Sequence, residues 1–466
     1  MAACASKNMS FEEKELAIVR AAADEAEQKA ARALIQNDDT KRIIRIVEDF
    51  LRRRKLICYG GTAINNILPA EDQFYDKDVE IPDYDFFSDR ALEDAKKLAD
   101  IYADNGYSDV EAKAGVHHGT YKVYVNFIPV ADITYIPSEL FKSIKREAIS
   151  VNGILYAPPN YLRMAMYLEL SRPQGDVSRW EKVLKRLTLL NRHFPMRNPK
   201  CHQMDFMRSF EGSQEDAQDI YTIVRDSMTD QGLIFFGGYA SSLYNRYLPK
   251  KDQKKFPSST PDFDALSEDP ETAAIIVKER LIDAGFKHTK VFKRPGFGEI
   301  IAPHYEIEVD GDTVAFIYEP LACHSYNSIR LGGRTVKVAT IDTMLSFYLA
   351  FLYANRSYYD HDRILCMAQY LFSVQAKNRL QQKGVLKRFS MDCYGKQMTL
   401  EDIRSEKTKA FERLRGKRGT KEYEEYFLRY TPGEDKKRKP KQTKTKKAST
   451  KTKKSVKKRK TRSKRR

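Results

Sequence analysis

Two stretches of the chain repeat one order of apolar and polar positions. In "DTKRIIRIVEDFLRRRKLICYGG" (39–61), Ile43, Ile46, Val47 and Phe50 return at helical spacing, and a short apolar run then ends on two glycines. "DAQDIYTIVRDSMTDQGLIFFGG" (216–238) aligns on it without a gap, with Ile220, Ile223 and Val224 in the same phase. Each copy continues into a short helix, "TAINNIL" or "YASSLYNRYL", closed by Pro69 or Pro249. An acidic strand follows, "IPDYDFFS" (81–88) or "TPDFDALS" (260–267), and then a longer helix. "TYKVYVNFIPVADITYIP" (120–137) and "HYEIEVDGDTVAFIYEP" (304–320) alternate as paired strands do, and helical segments close both copies.

The pattern predicts an α/β (α+β) protein in which one unit, a small mixed sheet with flanking helices and a helical extension, was built twice. The expected divisions are an N-terminal helical segment (1–38), a first unit (39–195), a linker (196–215) and a second unit (216–390). C-terminal helices (391–430) and a tail (431–466) follow.

Composition changes this picture in three places. Net charge is +18, but residues 436–466 hold 19 Lys and Arg with no acid, which leaves 63 basic against 64 acidic residues in the body. Such a run cannot bury apolar area and is expected to be disordered. It reads as an arm for nucleic-acid phosphates, as an import or sorting signal, or as a solubilising tail. The six cysteines (4, 58, 201, 323, 366, 393) form no C-x-x-C pair, which argues against a zinc site and a disulfide framework and fits a reducing compartment. No apolar run reaches membrane-spanning length, and the N-terminus lacks a signal-peptide pattern.

The chemistry lies in the repeated glycines and aspartates. A glycine pair between a strand and a helix lets backbone N–H groups approach phosphate oxygens at a helix N-terminus. Asp83 and Asp85, two apart on a strand, project to one face. Their repulsion is relieved when a divalent cation binds both. Asp132 sits in the apolar strand "VADITY", where an unpaired charge is costly. If that strand lies beside 81–88, three carboxylates converge on a site for two metal ions and in-line nucleotidyl transfer. The second copy keeps Asp262 and Asp264. It aligns Phe316 with Asp132 and Tyr239 with Thr62, so it reads as catalytically dead, with Asp310 or Asp312 as possible substitutes.

The "GG[ST]…DxD…D" motif resembles that of DNA polymerase β-like nucleotidyltransferases. "YGGTAINNILP", "IPDYDFFS" and "YLELSRPQGDVSRWEKVLKRLTLLN" resemble, more specifically, poly(A) polymerase catalytic subunits of large cytoplasmic DNA viruses: giant viruses, asfarviruses and, distantly, poxviruses. The resemblance covers about 40–375. It implies tandem nucleotidyltransferase-like domains with a degenerate second copy, and template-independent transfer of AMP from ATP to the 3′ end of mRNA. Gly60, Gly61 and Thr62 would hold the triphosphate; Asp83, Asp85 and Asp132 would bind two divalent cations (Mg²⁺ or Mn²⁺), with Asp132 completing the site that activates the RNA 3′ hydroxyl. It also implies a homodimer or a separate processivity subunit, and the cytoplasm of an infected host, with packaging into the virion as an alternative; the lack of a long apolar run argues against a membrane partner.

Arg172, Arg179 and Lys182 lie in "SRPQGDVSRWEKV" and are candidate triphosphate contacts. Trp180 reads first as core and second as a base-stacking ring. Tyr161 and Asn160 are weaker candidates for adenine contact, with helix capping as the alternative for Asn160. His117–His118 and "RPGFGE" (294–299) read as turns, and "YDHDR" (359–363) lacks spaced histidine partners. Two other functions stay open: CCA-adding, uridylyl-adding or oligoadenylate-type transfer on the same fold, and a non-catalytic RNA-binding processivity protein.

Overall fold

The computed structural model describes residues 10–75, 82, 84–202, 204–247, 250, 253 and 260–433. Asp83, Pro249 and the basic run 436–466 lie outside them.

The first half begins with helices α1 (Phe11–Gln36) and α2 (Asp38–Arg54). Asn37 caps α2 through its side chain, and Ile43, Val47, Phe50 and Leu51 are the stripe that α2 buries. Strand β1 (Ile57–Cys58) leads into α3 (Gly60–Ile67), followed by β2 (Tyr84–Ser88) and α4 (Ala91–Asp104). Next come β3 (Val110–Ala114), β4 (Thr120–Val125), β5 (Ile128–Tyr135), α5 (Ser138–Arg146), β6 (Ile149–Val151) and β7 (Ile154–Tyr156). Helices α6 (Pro159–Leu170) and α7 (Trp180–His193) complete it.

The second half repeats this order with α8 (Gln214–Asp230), β8 (Ile234–Phe236), α9 (Gly237–Ser242), β9 (Phe263–Leu266) and α10 (Pro270–Asp283). Strands β10 (Thr289–Arg294), β11 (His304–Val309), β12 (Asp312–Tyr318), β13 (His324–Leu331) and β14 (Arg334–Ala339) follow. Helices α11 (Ile341–Phe351) and α12 (His361–Lys377) then precede β15 (Cys393–Tyr394), α13 (Leu400–Leu414), α14 (Lys421–Phe427) and β16 (Arg429–Tyr430).

Each half forms one mixed sheet of eight strands. The orders are β16-β3-β4-β5-β2-β1-β7-β6 and β10-β11-β12-β9-β8-β14-β13-β15. Seven strands correspond position for position, and the eighth is added at opposite edges. β15 joins the second sheet beside β13, whereas β16 crosses back to pair with β3 of the first. The C-terminal segment predicted as helical therefore also supplies an edge strand to each sheet. Helix α6 of the first half packs on α11 of the second, so the two helical extensions share a core.

The expectation of no disulfide framework is overturned. Cys201 is bonded to Cys366 and Cys323 to Cys393, closing sequence separations of 165 and 70 residues. Pairs that meet only after folding leave no trace in spacing. Cys58 is a buried free thiol. Among the described residues no helix is long and apolar enough to cross a membrane.

Candidate active site

Strand β2 lies parallel to β5, and the register sets Asp85 directly opposite Asp132. In-register neighbours point to the same face of a sheet, so two carboxylates distant along the chain are brought side by side. Their strand neighbours Tyr84, Phe86, Ala131 and Ile133 face the other way into the core.

Asp132 is only 15% exposed at its side chain. Lys122, its in-register partner on β4, contacts Oδ2, while Oδ1 is buried and has no hydrogen-bond partner among the described residues. Such an oxygen is costly to bury unless something else binds it.

The glycine pair stands over these acids. Gly60 has φ +71°, and a Cβ there would come within 2.9 Å of Asp85 Oδ2, so both conformation and space require glycine. The Tyr59 N–H donates to the backbone oxygen of Asp85 at 2.9 Å, tying the turn to β2. Thr62 follows, buried, on the first turn of α3. Asn65 Oδ1 accepts from the N–H groups of Phe74 and Tyr75 at 2.8 and 2.9 Å, which folds residues 69–75 back over α3. His193 of α7 fixes the same loop through Asp72 at 2.5 Å.

That fold-back sets up a cation the sequence reading missed. Arg186, on the inward face of α7, donates to the Tyr75 hydroxyl at 2.8 Å and lies over the Phe74 ring, 4.7 Å from its centroid. A Cβ on Gly61 would meet Arg186 Nη1 at 2.9 Å. The guanidinium thus faces the glycine pair. Its signal was the helical phase of α7, where Val183, Leu187 and Leu190 are buried and Arg186 lies beside them.

The three cations predicted for this role sit elsewhere on the segment. Arg179 is exposed and pairs with Glu169 at 3.1 Å, and Lys182 is exposed on the first turn of α7. Arg172 is half-buried near His324 of the second half, and burial pulls its pKa down to about 10. Trp180 donates to the Glu169 carbonyl at 3.0 Å and packs against Phe389. Tyr161 is buried edge-on against Phe87 and Tyr353, while Asn160 accepts from Arg163 at 2.6 Å and does not cap α6. His117–His118 lies in a turn, with His118 against Tyr426.

Among the described residues, which do not include Asp83, no group of three or more His, Cys, Asp or Glu side chains is arranged to hold a metal. Asp85 and Asp132 nevertheless fit a divalent cation: hard oxygen donors, side by side, one oxygen otherwise unpartnered.

The second sheet repeats the geometry with different contents. Phe316 of β12 is opposite Asp264 of β9, in the position of Asp132. Gly237 has φ +70° and a Cβ on it would overlap Asp264 Oδ2. Tyr239, in place of Thr62, is buried among Tyr221, Phe235 and Phe263. Arg208, from the predicted linker, enters between the two acids. Its Nη1 lies 2.8 Å from Asp262 Oδ1, its Nη2 lies 2.8 Å from Asp264 Oδ1, and its guanidinium rests 4.6 Å from the Phe316 ring centroid. Arg363 adds a contact to Asp262 at 3.3 Å. Burial works against the charge of Arg208, but the two aspartates outweigh it and hold its pKa above the ordinary arginine range. Asp310 and Asp312 lie at the far, hairpin end of β12 from this place; Asp312 accepts from the Glu211 N–H at 2.8 Å.

Residues 45–176 match the model of a family described as poly(A) polymerase catalytic subunit. The chain is 29% identical over 238 residues to a putative poly(A) polymerase catalytic subunit of Acanthamoeba polyphaga mimivirus, covering 50% of this chain and 40% of that one. It is 32% identical over 159 residues to the African swine fever virus protein of the same description, covering 33% of each. The chain thus spans well under half the length of these relatives. The crystal structure of the Megavirus polyadenylate synthase superposes with a TM-score of 0.77 over 94% of this chain and 90% of that one, at 19% identity. In fold 94% of the chain is like that viral protein, and in sequence its segment 45–176 is like the poly(A) polymerase catalytic subunits.

Proposed function

We propose that the chain is a template-independent polynucleotide adenylyltransferase that moves AMP from ATP to the 3′ end of RNA, with chemistry confined to the first half. The observation that carries this reading is the in-register opposition of Asp85 and Asp132 beneath the Gly60 turn. Likeness to the viral relatives supports the choice of ATP and RNA.

The backbone N–H groups at the start of α3 and the Arg186 guanidinium face the space where a triphosphate would lie. The left-handed turn at Gly60 seats the start of α3 against Asp85, and Thr62 supplies a hydroxyl on the first helical turn. Asp85 and Asp132, with Asp83 two residues before Asp85, would hold divalent cations, Mg²⁺ or Mn²⁺. When bound, these would neutralise the phosphates and ease deprotonation of the RNA 3′ hydroxyl. Lys122 holds Asp132 Oδ2, and Oδ1 is left without a hydrogen-bond partner among the described residues.

Incubating the purified protein with an RNA primer and each NTP in turn, with Mg²⁺ or Mn²⁺, tests the proposal. Extension by ATP well above the other three supports it. Preference for CTP or UTP, or no extension by any nucleotide, overturns it.

A further inference from the structure

The row of residues that contains Asp85 and Asp132 does not stop at Lys122. Lys122 is opposite Lys113 on β3, and Lys113 is opposite Arg429 on β16. Five strands thus place Asp85, Asp132, Lys122, Lys113 and Arg429 in one line across one face of the sheet. Side-chain exposure rises outward along it: 15% at Asp132, 34% at Lys122, 42% at Lys113 and 86% at Arg429. The opposite face, with Ala112, Val123 and Ala131, is buried and takes α4.

Resting on the adenylyltransferase reading, we propose that Lys122, Lys113 and Arg429 are a track for the phosphate backbone of single-stranded RNA, leading its 3′ end onto Asp132. Three observations support it. First, Lys113 and Lys122 are like charges directly opposite in an antiparallel pair, each held by a carboxylate, Glu111 and Asp132, so an anion lying along the row would relieve their mutual repulsion further. Second, Glu111 on the same face sits 3.3 Å from both Lys113 Nζ and Arg429 Nε and holds these cations along the line. Tyr124, on the Lys122 face, has Lys113 Nζ 4.1 Å from its ring centroid and is half-buried, in position for a base to stack. Third, the second sheet provides an internal comparison: its corresponding row is Asp264, Phe316, Glu306 and Phe292, with no Lys or Arg among its members, and the arginines that reach it, Arg208 and Arg294, are paired with its own acids. A row required only by the fold would not differ so completely between the copies.

From β5 to β16 is three strand spacings, about 14 Å, which spans a few nucleotides. The chain then runs on from Gly433 into a segment with 19 Lys and Arg at residues 436–466.

The test is fluorescence anisotropy of a labelled oligoadenylate on the full-length protein across a salt series, without nucleotide or divalent cation. The double variant Lys113→Gln, Arg429→Gln is expected to bind about tenfold more weakly at low salt. Its slope of log affinity against log salt should be shallower by about 1.4, at roughly 0.7 per single-strand phosphate released. Glu111→Gln, which frees both cations, should bind more tightly; a merely structural role for this face gives no gain. Affinity and slope like the wild type in the double variant, or weaker binding by Glu111→Gln, overturns the track. Because binding is read without catalysis, a wild type that binds along this row but extends no primer with ATP sinks the enzyme reading and leaves the track standing.

Discussion

Where Asp132 faces Asp85 in the first sheet, Phe316 faces Asp264 in the second. The backbone frames agree down to the left-handed glycine, Gly60 or Gly237. What differs is how each half balances the charge of its acids. In the second, Arg208 is a built-in cation, bonded to both aspartates and closed in by Phe316. In the first, Lys122 pairs with one oxygen of Asp132, and the other oxygen has no partner among the described residues. One frame thus closes on an internal salt bridge, and on the proposed reading the other is a place for exchangeable ligands. One ring and one arginine distinguish the two copies of the frame.

The sharpest way to break this comparison is to exchange losses between the halves. On the proposed reading, in which both carboxylates act in the transition state, Asp132→Ala or Asp85→Ala should lower AMP addition at least about 10²-fold while the protein stays folded. Asp264→Ala should leave the rate per folded molecule unchanged. Primer extension beside circular dichroism separates the two, and equal losses of activity from both sites would end the claim of a silent second copy.

Arg208→Ala tests the plug itself. It leaves Asp262 and Asp264 buried without their main counter-charge, so unfolding free energy should fall by about 3–5 kcal/mol. Chemical denaturation reads this directly. Little change in stability would mean that the second site is not held by this pair.

Acid should also strike the halves unequally. His304 and His324 are buried in the second half, and burial pulls their pKa values down to about 4 and about 3. Both are neutral when folded, whereas the unfolded chain takes up protons near pH 6.5. Stability is therefore fully present above pH 6.5 and is lost as pH falls towards 4, by about 3 kcal/mol for His304. Melting curves from pH 7 to pH 4.5 should show this loss, and His304→Gln should flatten it.

The smallest effect concerns Arg186. Arg186→Ala should raise the KM for ATP about tenfold, the value of one charge-assisted contact of about 1.4 kcal/mol, with little effect on melting. The same change at Lys182 should do much less. If Lys182 proves the stronger, the cation facing Gly61 has been misassigned.

Most of this was legible along the chain only where neighbours in sequence are neighbours in space. The α2 stripe, the strand–glycine–helix turn and the alternation of β4 and β5 are local, and they repeat closely enough that the duplication and the mixed α/β class could be read from period alone. The acids too were visible, because Asp132 in an apolar strand is anomalous wherever that strand lies. Arg172, Arg179 and Lys182 cluster along the chain in one loop and helix start, yet which helical face meets the glycines is fixed by how α7 packs.

Residue order alone carries two copies of one unit, a set of acids in the first, a ring in place of one acid in the second, and a basic terminal run. Tertiary structure alone decided that Asp85 and Asp132 share a row, that Arg208 leaves the linker to enter the second site, that Cys201 meets Cys366, and that Arg429 returns to the first sheet. Periodicity records which face a residue takes on its own element. Which element lies alongside depends on strand pairing and helix packing between segments far apart, and a single chain carries no local mark of that.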